Sequence, residues 1–139
     1  MSKQTGQCLC GSMQYEISAE PIITAACHCK HCQRATGSAY SLNICVPESG
    51  FSIKGETLRY YADKSESGLP LKRFFCHQCD SPLYTQAEAM PGIMIVKAGT
   101  LDDTSKFSPA TNIWCESKME WLKQGIKAPE FSQMPVIPD

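Results

Sequence analysis

Seven of the nine cysteines in this 139-residue chain fall into three clusters, Cys8-x-Cys10, Cys27-x-Cys29-x-x-Cys32 and Cys76-x-x-Cys79. Each spacing has a mechanical reason. In Cys-x-x-Cys a tight turn brings both sulfurs toward one point, about 2.3 Å from a zinc ion. In Cys-x-Cys an extended backbone sends both side chains to one face, because the strand period is two. One pair does not complete a tetrahedral shell. Two pairs from distant parts of the chain do, and they staple those parts together. Seven thiols read as four plus three: a closed site of Cys8, Cys10, Cys76 and Cys79, and a three-thiolate site of Cys27, Cys29 and Cys32. That division matches the difference between structural and catalytic zinc. Soft thiolates select zinc over magnesium or calcium, while iron shares the same ligand preference.

The triad admits two readings. A fourth protein ligand (His28, His31, His77, Cys45 or Cys115) closes it, or its last position stays open for chemistry. Histidine is the side chain suited to proton transfer near neutral pH, so His28 and His31, beside the thiols, are the candidate acids. Their plainer role is a loop histidine bonded to backbone. Arg34 and Lys30 are candidates for holding carboxylates, Arg34 the better because of its planar fork. Arg73 reads as a groove residue or a strand-face charge. Cys45 and Cys115 lie in apolar alternation and read as small core residues. Trp114 and Trp121 read as core or pocket lining. A redox dithiol, Cys29 with Cys32 or Cys76 with Cys79, would call for a βαβ pattern that is absent here. A secreted disulfide scaffold fits poorly with an odd cysteine count and the apolar-poor start MSKQTGQCLCGS.

The elements that must position these clusters are short strands. In SMQYEIS, Met13, Tyr15 and Ile17 share one face; in AYSLNICV, Tyr40, Leu42, Ile44 and Val46 alternate with Ser41, Asn43 and Cys45. FSIKG, TLRYYA, KRFFC, SPLYTQ, IMIVKAG and TNIWC continue the pattern, with Gly and Pro between them. Helical signals are weak: one turn in HCQRATG ending at Gly37, and two turns in ESKMEWLKQG stopped by Gly125. The expectation is a mostly β, single metal-clipped domain over residues 1–128, followed by a Pro-rich tail over 129–139. The net charge is −1 and charged residues make up 19% of the chain, so no basic stripe points to nucleic acid. No apolar run approaches the roughly 20 residues of a membrane helix. A soluble, cytoplasmic protein is expected.

Three stretches, CLCG from Cys8, CHCKHCQRATGS from Cys27 and RFFCHQCDSPLY from Arg73, resemble the glutathione-dependent formaldehyde-activating family, which includes the domain of centromere protein V. The runs GTLDD from Gly99 and NIWCESKMEW from Asn112 add weaker echoes, so the resemblance spans residues 5 to 123. It implies a β-tent fold, small antiparallel sheets around a structural zinc held by the residues matching Cys8, Cys10, Cys76 and Cys79. It also implies a second, catalytic and more easily lost zinc on Cys27, Cys29 and Cys32, two zincs per chain in all. Three positions depart from the family pattern. Asp80 stands where members often carry Gly, Asn112 where they often carry His, and Glu120 where they often carry Pro.

The activity implied is a carbon–sulfur lyase reaction run in the direction of synthesis, joining glutathione and formaldehyde to S-(hydroxymethyl)glutathione. Glutathione is then a substrate, and small thiols and aldehydes are the partners, with neither nucleic acid nor membrane involved. Because this pair combines without a catalyst, two alternatives stand beside the enzyme: a glutathione or thiol carrier without turnover, and a zinc-stabilised protein-interaction module.

Overall fold

Along Gln14–Ile17 the residues alternate between exposed and buried, and Met13, Tyr15 and Ile17 are sealed into the interior. The computed structural model describes residues 3–135. Ten strands and one short helix run in chain order: β1 (Gln4–Gln7), β2 (Gln14–Ile17), β3 (Ile23–Cys27), α1 (Lys30–Thr36), β4 (Ser41–Pro47), β5 (Phe51–Lys54), β6 (Leu58–Lys64), β7 (Pro70–Cys76), β8 (Pro82–Ala87), β9 (Ile93–Lys97) and β10 (Thr111–Ile113). They form a three-stranded sheet, β1-β2-β5, and a seven-stranded sheet, β10-β3-β4-β9-β8-β7-β6. The chain is mostly β, with short helical turns, as the alternation predicts. Every pairing is antiparallel except that of β10 on β3, which is parallel. No helix among the described residues is long and apolar enough to cross a membrane.

The two sheets enclose the main core, in which Tyr15, Ile17, Ile44, Val46, Leu83 and Val96 meet. Tyr15, Phe51, Tyr84 and Phe74 continue it as a row of contacting rings, the last two stacked 4.5 Å apart. Directly paired residues share a sheet face. In the large sheet the registers Cys27↔Ser41, Asn43↔Lys97, Ile95↔Thr85, Thr85↔Arg73 and Arg73↔Tyr61 therefore define a second face, opposite the core. This face is polar, and α1 packs over its β4 portion. Consequently β4 does not show the half-exposed alternation expected of AYSLNICV: Ser41, Asn43, Ile44, Cys45 and Val46 are all buried, because the central strand is covered on both sides.

Other local expectations change for identifiable reasons. Strand β1 carries no apolar alternation; only Gly6 is buried. A Cβ at Gly6 would run into the Tyr15 ring and the Thr100 carbonyl, so a side chain there would push β1 off its neighbours. The ESKMEWLKQG region forms two 3-10 turns, Cys115–Ser117 and Glu120–Lys123, separated by extended backbone at Met119 (φ −60°, ψ 136°). Of the apolar residues here only Met119 and Leu122 are half-buried, and Cys115 is exposed rather than part of the core. Trp114 and Trp121 are 42% and 48% exposed and stand outside the core. Residues 129–135 are exposed and lie in neither strand nor helix; 136–139 fall outside the described residues.

Leu83 is fully buried between the sheets. Leu83→Ala is expected to lower the unfolding free energy by about 2–5 kcal/mol, through lost transfer energy plus a residual cavity. Chemical denaturation at constant metal loading measures it, and a loss below 1 kcal/mol would show that the sheets close over the gap.

Candidate metal centres and the adjoining cleft

The turn after β1 delivers Cys8 and Cys10, and the turn between β7 and β8 delivers Cys76 and Cys79. All four Sγ atoms lie within 4.8 Å of one another. Cys10 Sγ is 3.7 Å from Cys8 Sγ and 3.8 Å from Cys76 Sγ. Four sulfurs placed 2.3 Å from a common zinc at tetrahedral angles would be about 3.8 Å apart, so the donors fit that ion. A disulfide would need sulfurs about 2.05 Å apart, and all nine cysteines are free. Asp80, in the second turn, has a φ of 65°. That left-handed conformation favours Gly, and Asp tolerates it better than most residues.

A ring of donors surrounds these sulfurs. The Ser12 hydroxyl lies 3.1 Å from Cys10 Sγ and 3.3 Å from Cys76 Sγ, Thr57 Oγ1 lies 3.2 Å from Cys76 Sγ, and Ser81 Oγ lies 3.2 Å from Cys79 Sγ. Burial pushes the Cys76 thiol up, but the Ser12 and Thr57 hydroxyls outweigh it and bring the group to about 5. The Ser81 hydroxyl draws Cys79 down to about 7. The hydroxyls thus favour the thiolate, the form that binds metal, at Cys76 and Cys79, while Cys10 is shifted the other way. None of these hydroxyls is legible as a partner from cysteine spacing alone.

The second cluster is built on one junction. Cys27 ends β3, Cys29 caps α1 by accepting the Cys32 backbone N–H at 3.2 Å, and Cys32 sits in the helix's first turn. All three are buried with their sulfurs within 4.8 Å of one another, and no fourth His, Cys, Asp or Glu joins them among the described residues. A hydrogen bond from Cys32 holds Cys27 below the ordinary thiol range, and donating that bond drives Cys32 upward. Burial likewise raises Cys29. Hydrogen bonding thus eases ionisation at Cys27 and opposes it at Cys32. Three buried thiols that can ionise together only beside a positive charge suit a soft metal with one remaining position.

The candidate fourth ligands lie elsewhere. His77 and Cys115 are exposed. Cys45 is buried in β4 without joining the triad. His28 is buried, with Nε2 2.9 Å from Asn112 Oδ1 and Nδ1 without a hydrogen-bond partner. Asn112, one of the departures from the family pattern, is therefore the contact that orients His28. The His28 backbone N–H donates to Ile113 O at 3.0 Å, which ties the triad loop to β10.

Beside the triad opens a cleft of about 710 Å³. Lys30, His31 and Arg34 of α1 form one wall, and Arg73, Thr85 and Lys97 lie on the large sheet's polar face. Arg73 Nε donates to Asp63 Oδ2 at 2.8 Å, and His31 Nδ1 lies 3.6 Å from the same oxygen. Arg73 is thus a groove residue. Lys97, at the end of the IMIVK strand, escapes pattern reading. Its ammonium donates to Ser41 Oγ at 2.8 Å and Asn43 Oδ1 at 3.1 Å. Burial lowers its pKa, while the nearby Cys32 and Cys27 sulfurs oppose that shift. A charge at the end of an apolar strand was the available sequence signal.

A family model described as glutathione-dependent formaldehyde-activating enzyme matches residues 3–117. The chain belongs to this family. The crystal structure of a Rhodobacter sphaeroides protein shares the fold at 19% identity and a TM-score of 0.60, covering 78% of this chain and 98% of that one. A search of curated proteins returned no match. Membership in the glutathione-dependent formaldehyde-activating family agrees with the arrangement of two separate cysteine clusters, each able to hold a metal ion.

Arg73 fixes the charge state of Asp63. Desolvation alone would raise the Asp63 carboxyl, but the Arg73 hydrogen bond and charge hold it below 3.8. The pair's stabilisation is therefore present above that unfolded value and is lost as pH falls through the lower folded one. Arg73→Met should move the Asp63 titration upward, followed by carboxyl-carbon NMR. An unchanged titration would mean that another group holds the carboxylate.

Proposed function

We propose that the protein is a zinc-dependent enzyme forming or cleaving a thiol–aldehyde adduct, with glutathione and formaldehyde as the pair. Two zincs per chain are part of this reading, a structural one on Cys8, Cys10, Cys76 and Cys79 and a more labile one on Cys27, Cys29 and Cys32. The observation that carries it is a three-thiol cluster, lacking a fourth protein ligand among the described residues, beside a cleft large enough for a tripeptide and lined by Lys30, Arg34, Arg73 and Lys97 against the carboxylates of Asp63, Glu66 and Asp80. Zinc at the triad supplies, when bound, the positive charge that turns a substrate thiol into a thiolate.

The chain's own groups do the rest. Arg34 and Lys30, on the α1 wall, hold the carboxylates of glutathione, which places its sulfur toward the triad. That positioning turns the encounter with the aldehyde into a reaction between neighbours. His31 is the cleft's imidazole, with Asp63 facing Nδ1 and leaving Nε2 to hand over a proton. His28, buried and bonded to Asn112, fits a positioning role in the triad loop better than contact with substrate. A carrier without turnover, and a zinc-stabilised interaction module, differ from this reading in one observable: neither speeds exchange.

The test is the rate of glutathione–formaldehyde exchange measured by NMR for zinc-loaded protein and for Cys27→Ser. The expected result is acceleration over the uncatalysed rate, reduced at least about a hundredfold in the variant while the four-cysteine site stays loaded. No acceleration by wild type holding two zincs would overturn the enzyme reading, and glutathione binding under those conditions would leave the carrier.

A further inference from the structure

The two cysteine clusters differ in what surrounds their sulfurs. The hydroxyls of Ser12, Thr57 and Ser81 meet the first, as does the Gln78 amide, 3.4 Å from Cys10 Sγ. Among the described residues no hydroxyl or amide side chain meets the triad sulfurs. A cation lies beside them instead. Cys27 pairs with Ser41 across β3 and β4, and Asn43, two residues on and on the same face, pairs with Lys97 of β9. The Lys97 side chain reaches back over β4, past Asn43, to the residue directly across from Cys27. Its ammonium donates to Ser41 Oγ at 2.8 Å and to Asn43 Oδ1 at 3.1 Å. Both acceptors are buried and neutral. No carboxylate pairs with Lys97 among the described residues, whereas Arg73 on the same face has Asp63. Burial lowers the Lys97 pKa and the Cys32 and Cys27 sulfurs oppose that fall, so the ammonium and the triad attract one another.

A desolvated cation without an anionic partner is costly, and the cost falls when an anion stands nearby. The triad would supply one. A dication holding three thiolates keeps a single negative charge, and a fourth thiolate adds a second. At the first cluster the hydroxyls and the exposure of Cys10 ease that double charge. At the triad all three sulfurs are buried, where charges interact strongly, and neutral donors are missing. We infer that Lys97 is the countercharge of the triad site and selects its fourth ligand, favouring an anionic sulfur over a neutral donor. A thiol that binds there gives its proton to solvent. The inference rests on the reading of the triad as a metal site open to a thiol, and adds to it the residue that decides which ligands enter.

Calorimetry on zinc-loaded protein, in buffer free of other thiols, reads this out with glutathione and S-methylglutathione as ligands. The methyl thioether keeps both carboxylates but cannot become an anion at sulfur. Wild type should bind glutathione more tightly. Lys97→Met leaves Ser41 and Asn43 bonded to each other at 2.7 Å. It should weaken glutathione at least about tenfold, the effect of one opposite charge on a neighbouring ionisable group, and leave S-methylglutathione unchanged. 2-Mercaptoethanol, which has no carboxylate, should weaken by the same factor, and Lys97→Arg should keep the preference. Equal weakening of glutathione and S-methylglutathione in Lys97→Met would make Lys97 a carboxylate anchor and overturn the inference. An undiminished preference in that variant would overturn it too, with the thiol site intact. If Lys97→Met loses the second zinc, retention by Lys97→Arg supports the countercharge and loss from both variants overturns it. A wild type holding two zincs without any preference would overturn the open thiol site and the inference with it.

Discussion

Four sulfurs held within 4.8 Å of one another, contributed by turns nearly seventy residues apart, are the constraint on which the rest depends. Thiolates at that separation repel, and hydroxyl donors alone offset the repulsion only in part. A zinc ion there would contribute on the order of 10–16 kcal/mol, comparable with or larger than the entire stability of an ordinary domain, about 5–15 kcal/mol. In the three-stranded sheet β2 and β5 are held by apolar packing of Tyr15, Ile17, Phe51 and Ile53 against the main core, whereas β1 buries only Gly6. A metal clip at Cys8 and Cys10 would anchor the end of β1, where packing is least.

The division of labour between the sheet faces follows from that clamp. One face of the large sheet closes over the apolar residues of β2 and β5 and becomes core. The other is left for a helix of seven residues and a polar row, where Lys97, Thr85 and Arg73 would be costly without partners. Arg73 has Asp63 and Lys97 has Ser41 and Asn43, while Thr85 has none. Apolar packing and the polar cleft thus use opposite faces of the same strands, and rigid strands hold the polar groups in place more firmly than loops could.

Much of this was legible in local pattern. Cysteine spacing separated the closed cluster from the triad, because Cys-x-Cys and Cys-x-x-Cys impose their geometry within a few residues. Period-two alternation located most strands, and Gly37 marked the end of α1. What stayed hidden depends on register. Asn112 reaches His28 only because β10 lies parallel on β3, and Lys97 reaches Ser41 only because β9 pairs with β4. Strand β1 has no apolar signature, since pairing rather than burial holds it. Cys115 and the two tryptophans sat in apolar sequence without a core to enter, which composition cannot reveal.

The most direct test of the account is X-ray absorption at the metal edge, on protein purified without chelator and paired with a metal count per chain. The account predicts two zincs per chain and a sulfur shell at about 2.3 Å averaging near 3.5 sulfurs per metal, from a four-thiolate and a three-thiolate site, with a minor light-atom contribution. A first shell dominated by nitrogen or oxygen, or a folded protein with no metal at all, would contradict it.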